Sequence, residues 1–319
     1  MAKEGITDEQ FIKCWQTYQG AADVAKALGI MERTVHARRR VLEERYNIDL
    51  LSRKEAARID QDNMECRIKL KDGTIMVGSD PHYNPDLPPS TAHKAFVKMA
   101  KKLKPDWIVM NGDLGDFPAI GRFHRIGWEK RPTVAREINC IGERLAEIRE
   151  ASPGSRVHRT IGNHDLRFDG VLSNKVPEYE GIKGMTLDYH LKSWPATWTM
   201  QVNDPCELMI MHRWKSSLHA PLTNAKEAGC SFLTGHLHRQ HDYDHTYVNN
   251  RQIYGIDAGT MAELHDGHNP SFLYTEGRPT NWRAGWYLLT FRNGLLMPPE
   301  RCKVLELGRF WWRGELYEV

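Results

Sequence analysis

Two short pairs, Asp80-Pro81-His82 and His236-Leu237-His238, set carboxylate and imidazole donors two residues apart. In an extended segment or loop that spacing can bring both side chains of a pair onto one metal cluster. Three single residues extend the donor set: Asp113 in NGDLGD, Asn163 in GNHD, and His212 directly after Met211. Oxygen and imidazole donors in this mixture, with a carboxylate able to bridge, suit a pair of divalent cations. Two such ions, roughly 3.5–4 Å apart, can hold a hydroxide between them and clamp a phosphate. Phosphate-ester hydrolysis needs that nucleophile and that neutralised charge at neutral pH. Each motif alone has a plain reading: Asp80 before Pro81 can be a turn residue, and GHLH a strand-to-turn junction. Five together, with every donor position filled, argue for a metal centre. The remaining histidines (His93, His124, His158, His190, His219, His241, His245, His265 and His268) fall outside these segments and carry no special reading.

Each donor segment closes an apolar run of strand character. The runs are 74–77 before GSDPH, 107–110 before NGDLGD, 157–161 before GNHD, 207–211 before His212, and 231–233 before TGHLH. Helical patterns at 91–102 and 133–150 separate the first three. Strands alternating with helices predict a mainly parallel or mixed sheet covered on both faces, with a ligand site at the carboxyl ends of the strands. Further strand-like runs lie at 286–291, 304–307 and 310–317, and there is no internal repeat or low-complexity tract.

The series DPH, GDLGD, GNHD, MH and GHLH resembles the calcineurin-like metallophosphoesterase superfamily, in the family's order and over roughly residues 67–262. The resemblance implies an α/β fold for residues 66–319, a mixed β-sheet sandwich flanked by helices. It implies that Asp80, His82 and His238 bind one metal, that Asn163, His212 and His236 bind the other, and that Asp113 bridges them. His164 is then not a ligand; it faces the scissile phosphate and assists the leaving group, with Asp165 beside it able to orient its ring. Asp116 is a supporting group. Arg213 and Trp214 follow His212 where many members carry a small residue, so the match is loosest there. The cofactors expected are two divalent metal ions, Mn²⁺ first on its mixed oxygen and nitrogen donors, with Zn²⁺, Fe or Ni²⁺ as alternatives.

The first fifty residues have a different texture. Thr7 can cap a helix with Phe11, Ile12 and Trp15 on one face; residues 21–28 read as a second helix, Gly29 as a tight turn, and residues 31–46 as a third helix. The segment 21–38 resembles a helix-turn-helix, with Ala25 as the small contact residue, Gly29 as the turn and Val35 as the buried position. The resemblance implies a small all-α DNA-binding domain over residues 1–52, followed by a linker at 53–65. Arg33, His36 and Arg40, with Glu32 and Ala37, then face DNA, and Arg38 and Arg39 lie close to its backbone. The plainer reading is a helical bundle used for protein docking, with Arg38-Arg39-Arg40 as a solvated face. Such a module binds DNA weakly alone, which calls for a homodimer or for help from the catalytic domain.

Composition sets the outer limits. The 319 residues carry a formal charge of +3 and six well-separated cysteines, a pattern of reduced thiols rather than a disulfide framework. The opening MAKEGITDEQ is no secretory signal, and no apolar run is long enough to span a bilayer, so no membrane partner is expected. The expected setting is the cytoplasm of a bacterial or phage-infected cell, since the combination of modules looks like phage proteins and, loosely, DNA-repair nucleases. Residues 117–131 mix aromatic and basic side chains next to the metal motifs, suited to stacking on bases or equally to packing inward. The reading that unites these features is a two-metal phosphodiesterase acting on DNA as a nuclease or nickase. Two others stay open: a small-molecule or nucleotide phosphoesterase with a docking bundle, and a DNA-binding regulator whose phosphoesterase half is inert.

Overall fold

The computed structural model describes residues 6–18, 20–46, 50, 65–122, 124–265, 275 and 280–319. The chain divides into two compact units, residues 1–63 and 64–319. The linker expected at 53–65 lies outside the described residues, except Glu65, which already begins a strand.

The first unit contains helices α1 (Asp8–Tyr18), α2 (Ala21–Leu28) and α3 (Glu32–Tyr46). Thr7 and Gln10 form a reciprocal cap that starts α1: the Gln10 N–H donates to Thr7 Oγ1 and the Thr7 N–H to Gln10 Oε1. Gly29 ends α2 at φ 64°, where its N–H donates to the Ala25 carbonyl. Phe11, Trp15, Val24, Ala25, Val35 and Leu42 form its core.

The second unit is layered helix, sheet, sheet, helix. Its strands are β1 (Glu65–Ile68), β2 (Gly73–Gly78), β3 (Trp107–Asn111), β4 (Arg156–Thr160), β5 (Ala196–Thr197), β6 (Thr199–Val202), β7 (Leu208–Met211), β8 (Ser231–Thr234), β9 (His241–Thr246), β10 (Gln252–Asp257), β11 (Gly285–Arg292), β12 (Leu295–Leu296), β13 (Glu300–Glu306), β14 (Arg309–Trp312) and β15 (Glu315–Glu318). The nine-stranded sheet runs β15-β14-β13-β11-β2-β3-β4-β5, with β12 beside β11; β2 to β5 are parallel and the rest antiparallel. The six-stranded sheet runs β1-β6-β7-β8-β10-β9 and is mixed.

Side-chain alternation decides which layer each strand residue enters. Ile75 and Val77 point with Tyr287 and Leu289 into the core between the sheets, where they meet Met200, Ile210, Leu233 and Ile256. Met76 and Leu288 point the other way, against Phe96 and Met99 of the helix Thr91–Leu103 and Ile141 and Leu145 of the helix Val134–Ala151. Ser90 and Thr133 cap these two helices, accepting from the His93 and Arg136 N–H groups. The helix Ala220–Ala228 covers the outer face of the six-stranded sheet through Ala225, Phe232 and Ile253. The run expected as one strand at 310–317 is a hairpin. Arg313 and Gly314 adopt φ 49° and 82°, a turn that only a two-residue reversal between β14 and β15 requires.

Candidate metal centre

The predicted donors all follow the carboxyl ends of strands. Asp80 and His82 follow β2, Asp113 follows β3, Asn163 follows β4, His212 follows β7, and His236 and His238 follow β8. Asp80, His82, Asp113, His236 and His238 have φ of 51°, 44°, 51°, 70° and 58°. Left-handed backbone at a non-glycine residue costs about 1–3 kcal/mol and persists where the surroundings over-determine it. Here the reason is packing of loop on loop. A Cβ on Gly162 would lie 2.2 Å from the Asp113 amide nitrogen, and one on Gly235 would lie 2.1 Å from Ser79 Oγ and 2.4 Å from Asp80 Oδ2. The glycines of the GN and GH motifs thus let neighbouring donor loops touch.

The donors form two trios with one ligand atom each within 4.8 Å of the others: Asp80, His82 and His238, all buried, and Asp113, His212 and the half-buried His236. Asp80 Oδ1 lies 3.0 Å from His238 Nε2 and 3.9 Å from both His82 Nε2 and His212 Nε2, so it reaches donors of both trios. Asp113, expected to bridge, sits in the second trio, with Oδ2 3.1 Å from His212 Nε2 and 3.9 Å from His164 Nε2. Hydrogen bonds from behind aim the rings. His212 Nδ1 pairs with the Asn111 carbonyl at 2.7 Å, and His82 Nδ1 with Asp116 at 3.1 Å. Each donates its Nδ1–H outward, which leaves Nε2 bare for a cation. Asp80 Oδ2 accepts from the Ser79 hydroxyl and the His236 N–H.

These residues fit two cations. His212 Nε2 and Asn163 Oδ1 are buried and make no hydrogen bond among the described residues, which is costly unless another partner is supplied. The charge pattern agrees. Burial pushes the Asp113 carboxyl up, but His212, His164 and His82 outweigh it and hold it well below the usual range. Burial likewise opposes charge on His82 and His212, yet Asp116, Asp113 and Asp80 raise His82 to about 9, and Asp113 and Asp80 raise His212 to about 10. Buried carboxylates thus recruit positive charge, by protonating imidazoles where no metal supplies it. Burial and the His212 charge lower His236 to about 4, so its ring is neutral at pH 7 and available as a ligand.

One assignment changes. Asp165 does not orient the His164 ring: its carboxylate accepts the N–H groups of Gly162, Asp113 and Leu114. Three backbone donors consume the carboxylate and tie the GNHD loop to the GDLGD loop, so Asp165 fixes the site's backbone. Asp116 takes the orienting role, with Oδ1 2.8 Å from His164 Nδ1 and 3.1 Å from His82 Nδ1. Sequence reasoning missed Arg167, whose Nη2 stands 3.2 Å from His164 Nε2 while its Nη1 donates to the Asp116 carbonyl. Its position three residues after His164, in the first turn of the helix Leu166–Lys175, was the available signal. Arg159 was also missed; fully buried, it donates to the Trp194 carbonyl and pairs with Asp188, anchoring the segment that follows that helix.

In the helical unit, Arg33, His36 and Arg40 are exposed. Arg38 and Arg39 are half-buried and engaged within the unit. Arg38 pairs with Asp8 and lies over the Phe11 ring, and Arg39 pairs with Glu43 and lies over the Trp15 ring. Val35 and Leu42 form the buried stripe of α3, and positions 38 and 39 fall between them on the same face.

No known protein-family profile matches the chain. Over 250 residues it is 24% identical to the Gene 54 protein of Mycobacterium phage D29, covering 71% of this chain and 92% of that protein. It is 25% identical over 263 residues to the Gene 54 protein of Mycobacterium phage L5, with the same coverage, 71% and 92%. Among solved structures it is similar to a metallophosphoesterase from Sphaerobacter thermophilus (16% identity, TM-score 0.37, 68% of this chain and 83% of that one). It is also similar to a dimetal phosphatase from Danio rerio (12% identity, TM-score 0.33, 69% and 92%). Among the described residues no helix is long and apolar enough to cross a membrane.

Proposed function

We propose that this chain is a calcineurin-like metallophosphoesterase that hydrolyses phosphodiester bonds in DNA with two divalent metal ions, Mn²⁺ first among them. One observation carries the reading: two donor trios lie close enough that Asp80 Oδ1 stands within 3.9 Å of imidazoles from both. Asp80, His82 and His238 would hold one ion, and Asn163, His212 and His236 the other, with Asp113 as a shared ligand. When bound, the ions supply an activated water and neutralise the phosphoryl oxygens. The protein's own groups do the rest. Asp116 fixes His164 through Nδ1, which leaves Nε2 in place to pass a proton to the leaving oxygen. Arg167, whose Nη2 faces that same nitrogen, would turn to a phosphoryl oxygen when Nε2 carries the proton. The inert-regulator reading needs donors too scattered to share metals, and these donors converge.

DNA as the substrate rests on two surfaces. The helical unit exposes Arg33, His36 and Arg40 on α3, the helix that enters the major groove in a helix-turn-helix. The loop after Asp116 exposes Trp128 fully and Ile126 by half, beside exposed Arg122, Arg125 and Lys130. Apolar and cationic groups interleaved in this way suit stacking on bases and pairing with phosphates. The test incubates the Mn²⁺-loaded protein with supercoiled plasmid and, separately, with an aryl phosphodiester. Nicking by the wild type and its loss in Asp113→Ala are expected. Turnover of the aryl ester without nicking would overturn the DNA substrate and favour a small-molecule phosphoesterase. Full activity in Asp113→Ala on both would overturn the metal centre.

A further inference from the structure

Directly behind the loop that carries His236 and His238 lies a cavity of about 230 Å³, lined by Arg239, Gln240, Asp257, Arg283, Arg301 and Lys303. The geometry points to a second anion site there, built for a phosphate group. Four cationic side chains converge on a space that no metal ligand enters. Two acidic groups stand near them: Asp257 in the wall, and Asp242, which lies 3.6 Å from Arg301 Nε and accepts from the Tyr287 hydroxyl. The site is cationic on balance.

Three of the residues in its wall also carry polar atoms without a partner. Arg239 Nη1, Asp257 Oδ2 and Gln240 Oε1 are all buried and have no hydrogen-bond partner among the described residues. Asp257 is fully buried and Gln240 is 2% exposed, so bulk water does not satisfy them. Other atoms of the same groups are committed: Asp257 Oδ1 accepts the Gly259 N–H, and Gln240 Nε2 donates to the Cys302 carbonyl. The donor set for phosphoryl oxygens comes from Arg239, Arg283, Arg301 and Lys303, of which Arg301 Nη1 also donates to the Gln240 carbonyl and Arg283 Nη1 to the Trp282 carbonyl. Burial pushes the Asp257 carboxyl up to about 7, so near neutral pH its negative charge is only partial.

The wall of the cavity and the metal-ligand loop share backbone. Arg239 follows His238 directly, and the Arg283 N–H donates to the His238 carbonyl at 2.7 Å. A phosphate here is either a second phosphate of a substrate whose scissile group sits at the metals, or free inorganic phosphate. The first source rests on the phosphodiesterase reading; the second does not.

Calorimetric titration of the full, metal-free chain with inorganic phosphate decides the site, comparing wild type with Lys303→Gln and with Arg283→Gln/Lys303→Gln. Neither side chain touches a metal ligand, and melting curves confirm that each variant folds. Binding at least ten-fold weaker in the double variant, and intermediate in Lys303→Gln, is expected. Absence of binding in the wild type, or equal binding in all three, overturns the site. A second arm, on the Mn²⁺-loaded chain, identifies the source. A KM raised ten-fold for a short oligonucleotide but unchanged for an aryl phosphodiester supports a site for the substrate's second phosphate. KM values unchanged for both, with phosphate binding still lost, support a site for free phosphate. If the wild type turns over neither ester, the phosphodiesterase reading fails and the calorimetry still decides the cavity.

Discussion

Asp116 Oδ1 holds two imidazoles at once, one from a metal trio and one beside it, so its loss should be felt twice. Asp116→Asn keeps the size but removes the acceptor charge that sets the Nδ1–H tautomer of His82 and His164. Metal affinity and ester hydrolysis are each expected to fall about 10- to 100-fold, read by metal titration and initial rates, while the melting temperature of the loaded protein stays near that of wild type. An unchanged affinity would remove His82 from its assigned place. The same cluster predicts a pH dependence for the metal-free protein. His82 and His212 are raised from 6.5 to about 9 and about 10, so their contribution to stability is complete below pH 6.5 and is lost as the pH rises through 9 and 10. Denaturant midpoints should therefore fall between pH 6.5 and 10 in chelator. The fall should be reduced with Mn²⁺ present, because metal binding replaces those protons. The donors themselves were legible in the sequence because D-x-H and H-x-H spacing survives any detail of side-chain rotation. Asp165 and Arg167 were not legible in their roles. Which way a side chain turns in the first residues after a strand depends on backbone N–H groups from another loop, here those of Asp113 and Leu114.

Among the elements, the loops after β2 and β8 depend on each other. Gly235→Ala would drive a methyl group into Ser79 Oγ and Asp80 Oδ2, and the backbone cannot yield without moving His236. Loss of metal binding is expected, with a melting temperature lowered in the metal-free protein as well; retention of both would mean that the loops are not in contact. Strand and helix positions were readable to within about a residue or two at the donor segments, whereas the run at 304–307 is the end of a strand that begins at Glu300. The hairpin at Arg313-Gly314 was read as one strand because its aromatic residues, Phe310, Trp311, Trp312 and Tyr317, continue across the turn. The packing of Arg38 and Arg39 was hidden for a similar reason. A run of three arginines hides the helical period that turns two of them onto Phe11 and Trp15.

At the scale of the molecule, the two units have separate cores, one built on Phe11, Trp15 and Val35 and the others within residues 64–319. A chain beginning at Met64 is therefore expected to keep aryl-ester hydrolysis within about two-fold of the full protein and to lose most of its retention on DNA. Gel-shift and rate measurements on the two chains check this, and DNA retention equal to that of the full chain would assign the whole interface to the second unit. The sequence carried the separation of textures between the units but not the partner of the first, because a helical bundle for docking and one for DNA share the same buried positions. The metal donors are also divided between sheets: Asp80, His82, Asp113 and Asn163 follow strands of the nine-stranded sheet, and His212, His236 and His238 follow strands of the six-stranded one. Bound ions would rivet the two sheets together at one end, closing a loop of chain from Asp80 to His238 much as a covalent cross-link does. Loss of metal then slackens the seam of the sandwich itself, and the loaded protein should owe its resistance to proteolysis to a slow rate of opening at that end.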